Sequence, residues 1–323
     1  IIMIKKTLEK LINFIERNFF KKFFNRKLIL IGNSHILNFR NKYKNIKNLN
    51  ELDYKVFSQN GEDGIIDYLL YNLKIENPKF IEIGVEDYNE ANTRFLFETT
   101  NGKGLIIDCI DGFEEKVKKN IILWKGDLKI FKEFITSKNI INVLEKFDFL
   151  KKIDLFSLDV DGIDYWIIKN LPAKFSKVVV LEYNSNFGPD LEITVPNIEK
   201  FNRTKYHYSN LCFGASIKAL VKLMKSKGFT FVGTNKSCVN AFFVVDDELD
   251  KINIDLPNYE NLTKYTNSNI RESRSNDGDL NYLSGVNKLK EISECEVIDL
   301  SNKENKRTKI KNIKSLEWYN NGK

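Results

Sequence analysis

The chain has 323 residues, 42% hydrophobic, 29% charged and 12% aromatic, which is the composition of a folded globular protein with room for one large α/β domain and extensions. Its four cysteines (Cys109, Cys212, Cys238, Cys295) are widely spaced and it has only two histidines (His35, His207), which excludes a disulfide framework, a thiolate zinc site and a histidine-rich metal site, and suits a reducing compartment, the cytoplasm. The net charge of +7 divides into +10 over residues 1–48, −6 over 49–285 and +3 over 286–323, so the central region is not built to hold nucleic acid.

In residues 4–24, Ile4, Leu8, Leu11, Ile12, Ile15, Phe19, Phe20 and Phe23 recur at spacings of three and four between lysines and arginines, the pattern of a cationic amphipathic helix. Such a helix packs on a domain or a second subunit, or lies on an anionic membrane surface as a peripheral contact at its cytoplasmic face. The run Leu28 to His35 reads as a short strand ending in a turn. Ser34 is not a hydrolase nucleophile, because the other histidine, His207, has Thr204 where a triad needs an aspartate three residues earlier. Residues 1–50 thus form a basic N-terminal extension, 51–250 the main domain, and 251–323, rich in Asn, Ser, Lys and Glu, a polar C-terminal extension.

The main domain alternates apolar strand patterns with helical ones. Strands are predicted at 80–85, 104–109, 121–124, 154–160, 177–183, 230–234 and 239–245, with helices near 60–73, 91–99, 112–119, 129–146, 163–170 and 214–227. Alternation at this interval implies an α/β fold with a mostly parallel seven-stranded sheet covered by helices on both faces. Only a short turn at Lys236-Ser237 joins the last two strands, so the final strand returns antiparallel. That arrangement is the Rossmann-like fold of class I methyltransferases.

Ligands of such sheets sit beyond the carboxyl ends of the strands. The first strand ends Phe80-Ile-Glu-Ile-Gly-Val-Glu, where Gly84 lets the backbone approach a ligand and Glu82 and Glu86 repel a pyrophosphate but welcome a sulfonium and an ammonium. This favours S-adenosylmethionine over a nicotinamide dinucleotide. Asp108 ends the second strand, placed to accept hydrogen bonds from ribose hydroxyls. Asp159 and Asp161, two apart at the end of the fourth strand, converge with Glu182 and Asn184 of the fifth; like charges so close need a cation or a shared proton. Asp164 caps the following helix.

The segments Phe57-Ser-Gln-Asn-Gly-Glu-Asp-Gly64, Phe80-Ile-Glu-Ile-Gly84, Asn92-Thr-Arg94, Ser157-Leu-Asp-Val-Asp-Gly-Ile-Asp-Tyr-Trp166, Leu181-Glu-Tyr-Asn184, Phe213-Gly-Ala-Ser216 and Val239-Asn-Ala-Phe-Phe-Val244 occur in order over about residues 54–247. Together they resemble the FkbM-type S-adenosylmethionine-dependent methyltransferases of the surface-polysaccharide branch. The resemblance implies methyl transfer to a hydroxyl of a sugar in a surface polysaccharide or its precursor. It implies cofactor contacts from Gln59, Asp63, Glu82, Gly84, Asn92, Asp108 and Asp159. Tyr88 stands where the family often has a second glycine and is expected to narrow the loop. Methyl transfer needs a proton acceptor, for which Asp161, Glu182 and His207 are the candidates, or Mg²⁺ on Asp159, Asp161 and Glu182 to acidify the hydroxyl. The long connection 184–213 is expected to form the acceptor pocket, with Tyr183, Asn184, Asp190 and Tyr208 as acceptor contacts. The alternative is a binding or scaffold protein that keeps the fold without turnover.

Overall fold

The computed structural model describes residues 21–121, 123–149, 152–302 and 304–313. The chain divides into two units, Ile1–Lys44 and Asn45–Lys323. In the first, helix α1 (Lys21–Arg40) runs straight through Leu28 to His35, so the strand and turn expected there are one helix. A run of four apolar residues is compatible with either form, and Gly32 alone does not break a helix. Apart from its last four residues, the amphipathic stretch 4–24 lies outside the described residues.

The second unit is built on seven strands: β1 (Lys79–Ile83), β2 (Lys103–Asp108), β3 (Asp127–Lys132), β4 (Ile153–Leu158), β5 (Ser176–Glu182), β7 (Phe229–Thr234) and β8 (Asn240–Val245), with β6 (Ile193–Thr194) outside this sheet. Their order is β3-β2-β1-β4-β5-β8-β7, parallel except for β8, which runs antiparallel to both β5 and β7. Every residue of β1 after Lys79 is buried, as is most of β4 and β5, the mark of inner strands covered on both faces. Ile83 of β1 sits opposite Ile107 of β2 and Leu158 of β4, and Leu158 opposite Leu181 of β5. This register brings the residues after four strands to one rim.

Helices fill the connections: α2 (Glu62–Asn72), α3 (Arg94–Thr99), α4 (Phe113–Asn120), α5 (Ile140–Lys146), α6 (Asp164–Asn170), α7 (Arg203–Tyr206) and α8 (Ile217–Ser226). In α8, Ser216 caps the first turn through the Ala219 amide (3.3 Å), and Ile217, Leu220, Val221 and Met224 are buried, the expected helical spacing. The third strand departs from expectation. It lies at 127–132, not 121–124, and the helix expected over 129–146 is confined to 140–146. β3 lies at one edge of the sheet and, unlike the buried edge strand β7 at the other, has no fully buried residue and so no apolar run to announce it, while Trp124 is 85% exposed.

The C-terminal residues pack as structure of their own. Helix α9 (Val286–Glu291) precedes β9 (Glu296–Asp299) and β10 (Lys306–Lys309), and β9 pairs antiparallel with both β10 and β6, joining this segment to the connection after β5. Phe187, Ile193, Leu211, Leu289, Ile292 and Val297 form a small second core beneath this three-stranded sheet. No helix among the described residues is long and apolar enough to cross a membrane.

Candidate active site

A cavity of about 680 Å³ opens at the rim where the strand order reverses, between β1 and β4. The loops after these strands cross closely at its wall. Gly84 (φ +81°) lies so close to the Asp159 carbonyl that a Cβ would fall 1.6 Å from that oxygen. The glycine is therefore required by the protein's own backbone as well as by any ligand beside it.

Several carboxylates expected to touch the cofactor are already committed to backbone. Asp108 accepts from the amides of Val85 (2.9 Å) and Glu86 (2.7 Å) through Oδ2 and from Ile110 (3.0 Å) through Oδ1, tying the ends of β1 and β2 together. Glu82 accepts from Asn92 N (2.8 Å), Thr93 N (2.8 Å) and Thr93 Oγ1 (2.6 Å), which fixes the turn before α3; burial nonetheless lifts its carboxyl to about 7. Both residues line the cavity. Asp63 does not: its Oδ2 accepts from the amides of Val56, Phe57 and Ser58 at 2.7–2.8 Å and from Ser58 Oγ at 2.9 Å, pinching the loop that presents Gln59 to the cavity. Asn92 lines the wall and donates to Ser157 Oγ (3.1 Å).

Tyr88 does not narrow the loop. It is fully buried in left-handed backbone (φ 59°), its hydroxyl is bonded to Thr93 Oγ1 at 2.8 Å, and it is absent from the cavity wall. The backbone conformation that a glycine would supply is kept, and the ring is turned into the core.

At the other side of the rim, carboxylate oxygens of Asp159, Asp161 and Glu182 lie within 4.8 Å of one another. Burial first, then the charges of Asp161 and Asp164, raises the Asp159 carboxyl to about 8; burial and then Asp159 push Glu182 well above the carboxylate range. Glu182 is 7% exposed and its Oε2 has no hydrogen-bond donor. Asp161 is different: half-exposed, it meets Arg203 Nη1 at 2.5 Å. Asp164 accepts from the Val160 and Gly162 amides, both at 3.0 Å, and so folds the loop before α6; it is itself the first helical residue, and no side chain caps this helix, contrary to expectation.

The connection after β5 contributes other residues than expected. Tyr183 points its hydroxyl to the Tyr265 carbonyl, and Asn184, fully buried, bonds the carbonyls of Leu211 (2.8 Å) and Phe213 (2.9 Å), so both hold the connection in place. Asp190 is exposed, Tyr208 donates to Glu291 Oε1 (2.5 Å), and His207 bonds Ser209 Oγ (2.7 Å) and stacks on Tyr208, burial pulling its pKa down. None of these five lines the cavity. The wall there is made instead by Phe201, Arg203, Thr204, Asn240, Ile270 and Glu272. Arg203 shares the α7 segment with a second cation, Lys205, so the sequence does not single it out; Ile270 and Glu272 come from the polar C-terminal region, where no local pattern marks them.

The strand order, with a single reversed strand between β5 and β7, is that of the class I methyltransferase fold. No protein-family profile and no curated protein matches the chain. Among solved structures it is similar to the N-terminal domain of EvdMO1, determined in the presence of SAH and D-fucose (12% identity, TM-score 0.35, covering 54% of this chain and 77% of that one). It is also similar to an S-adenosylmethionine-dependent methyltransferase from Clostridium acetobutylicum (11%, TM-score 0.37, 57% and 90%) and to a fibrillarin pre-rRNA processing protein from Methanococcus jannaschii (9%, TM-score 0.34, 53% and 67%). At such identities the reading of the site rests on its own geometry.

Proposed function

We propose that the chain is an S-adenosylmethionine-dependent O-methyltransferase of the FkbM-like kind, acting on a sugar hydroxyl of a surface polysaccharide or a related small hydroxylated acceptor. The observation that carries this reading is the cavity at the switch point of the sheet, walled by Gly84, Glu82 and Asp108 on one side and by the high-pKa pair Asp159 and Glu182 on the other. Its volume lies within the range of ligand pockets, about 300–1,000 Å³.

The cofactor supplies an electrophilic methyl group on a sulfonium. Gly84, Asn92, Gln59 and Asp159 are the residues that would hold its amino-acid end, and Asp108, whose Oδ1 keeps spare acceptor capacity, its ribose. Glu82 and Asp63 act one step removed, by fixing the loops that carry Asn92 and Gln59. The acidic wall attracts the ligand's cationic groups and repels a pyrophosphate. An acceptor hydroxyl beside Asp159 meets a carboxyl lifted to about 8, which in its ionised form suits a general base. Asp161, held by Arg203, orients the acceptor side.

A second reading is favoured by the unpartnered Oε2 of Glu182: Asp159, Asp161 and Glu182 form an all-oxygen donor set that fits Mg²⁺, which would acidify the acceptor hydroxyl. Peripheral contact of residues 4–24 with an anionic membrane at the cytoplasmic face belongs to the same proposal and is checked by liposome sedimentation. The scaffold alternative loses its main support with Tyr88 in the core.

The test is the thermal midpoint with excess S-adenosylhomocysteine, with NADH in parallel. Ligand at 100 times its dissociation constant stabilises by about 2.7 kcal/mol, a shift of about 2–5 °C at this size. A shift with the sulfur ligand alone supports the reading; no shift at millimolar concentration overturns it.

A further inference from the structure

Nine carboxylates and one guanidinium line the cavity among the described residues. Glu86, Glu90, Glu133, Asp161 and Glu272 are among them. The guanidinium is consumed. Arg203 bonds Asp161 Oδ1 (2.5 Å), Glu272 Oε1 (2.6 Å) and the Asn210 carbonyl (3.0 and 3.2 Å), and its remaining face lies 4.0 Å from the Phe213 ring centre. Lys55, outside the cavity, pairs with Glu90 at 3.0 Å. Below this rim the buried Glu182 Oε2 has no donor at all.

An anionic ligand entering here finds no uncommitted cation among the described lining residues, and the carboxylates still outnumber the one guanidinium even with Glu82, Asp159 and Glu182 protonated. In a sugar phosphate or nucleoside diphosphate sugar, a phosphate joined to the anomeric carbon lies one ring-width from any hydroxyl placed at Asp159 and Glu182. That distance is inside the screening length of about 8 Å at physiological salt, and the low-dielectric walls of a cleft focus the field further. Discrimination by unpaired like charge is as effective as discrimination by added contacts.

We propose, resting on the methyltransferase reading, that the acceptor half of this cavity takes a sugar that carries no phosphate and rejects sugars still bound to phosphate or to a nucleoside diphosphate. The methylated sugar has then already left its activated carrier, so a glycosyl-transfer reaction, whose leaving group is the diphosphate, precedes this step. Arg203 is a positioning residue in this arrangement: it ties the C-terminal segment carrying Glu272 to the loop after β4 and spends its own charge in doing so.

Calorimetry on the full chain, with methyl glucoside, glucose 1-phosphate and UDP-glucose as probes, tests this, with EDTA and with Mg²⁺. The wild-type protein is expected to bind neither phosphorylated probe at millimolar concentration, and the folded variant Glu86→Gln/Glu133→Gln/Glu272→Gln to gain at least tenfold in affinity for them, the difference shrinking as salt rises. Binding of UDP-glucose by the wild type more tightly than methyl glucoside overturns the proposal, as does a variant that gains nothing. Binding of UDP-glucose only with Mg²⁺ also overturns it and assigns the carboxylates to a bridging metal. S-adenosylhomocysteine is titrated separately: absence of that heat sinks the methyltransferase reading, while the phosphate comparison still stands or falls on its own.

Discussion

Replacing Gly84 by alanine puts a Cβ 1.6 Å from the Asp159 carbonyl oxygen and 2.7 Å from its carbon. Neither atom can swing aside. Asp159 N donates to the Ile83 carbonyl (3.0 Å) and Gly84 N to the Ile107 carbonyl (2.9 Å), so the two loops are pinned by the register of β1, β2 and β4. Restoring van der Waals contact needs a separation larger by about 2 Å. The left-handed backbone costs a non-glycine residue about 1–2 kcal/mol, and overpacking adds about 1–3, for a total of about 2–5 kcal/mol. Against a stability of about 5–15 kcal/mol, urea unfolding should show a midpoint lower by about 1–2 M. S-adenosylhomocysteine affinity, measured where the variant is still folded, should fall at least tenfold, because separating the loops moves Glu82, Asp108 and Asp159 together. Gly214→Ala is the control: its φ is +60° but a Cβ there meets nothing within 4 Å, so only the backbone cost remains. If Gly84→Ala unfolds at the same urea concentration as Gly214→Ala and binds the ligand normally, the crossing is not what shapes the cavity.

The buried carboxyls predict acid stabilisation. Glu82 moves from 4.5 to about 7, and Asp63 and Asp164 from 3.8 to about 6, burial being the largest cause in each. The folded state holds these protons more tightly than the unfolded one, so the stabilisation is full below about pH 4 and is lost as pH rises through about 6–7, roughly 3 kcal/mol for Glu82 alone. Urea titrations should give a higher midpoint at pH 5 than at pH 8, with Glu82→Gln flattening the difference; a midpoint rising toward pH 8 refutes this. Tyr88→Phe removes the 2.8 Å bond to Thr93 and should cost about 1 kcal/mol while leaving S-adenosylhomocysteine affinity within twofold; a large gain in affinity would mean the ring obstructs the site after all. His207→Ala should leave the pH profile of methyl transfer unchanged in shape, since this ring stacks on Tyr208 away from the cavity; loss of one limb of the profile would restore it as the base.

The central strands were legible because β1, β2, β4 and β5 are inner strands, whose burial on both faces writes a continuous apolar run into the local sequence. Edge strand β3 is half-solvated and writes no such run, and the helical course of Leu28 to His35 depends on the residues around a stretch that is apolar in either form. The cavity wall after β5 departs from expectation for a related reason. The aromatic and polar residues of 184–213 are conspicuous in one dimension, yet Asn184, Tyr183 and His207 spend their polar atoms on other protein groups.

The amino-acid sequence by itself determined the six sheet strands other than β3, the late reversed strand and the placing of acidic residues after β1, β2, β4 and β5, because these follow from local period and from the shortness of one turn. Only the tertiary structure decided what each carboxylate does. Asp108 is bound by amides 22 and 23 residues away, Asp161 by a guanidinium 42 residues on, and Glu272 reaches the same guanidinium from 69 residues beyond it, whereas Glu182 Oε2 is left without a donor. Hydrogen bonding and desolvation are set by whichever groups the fold brings within about 3 Å, and that proximity is a property of the packed chain rather than of any segment of it.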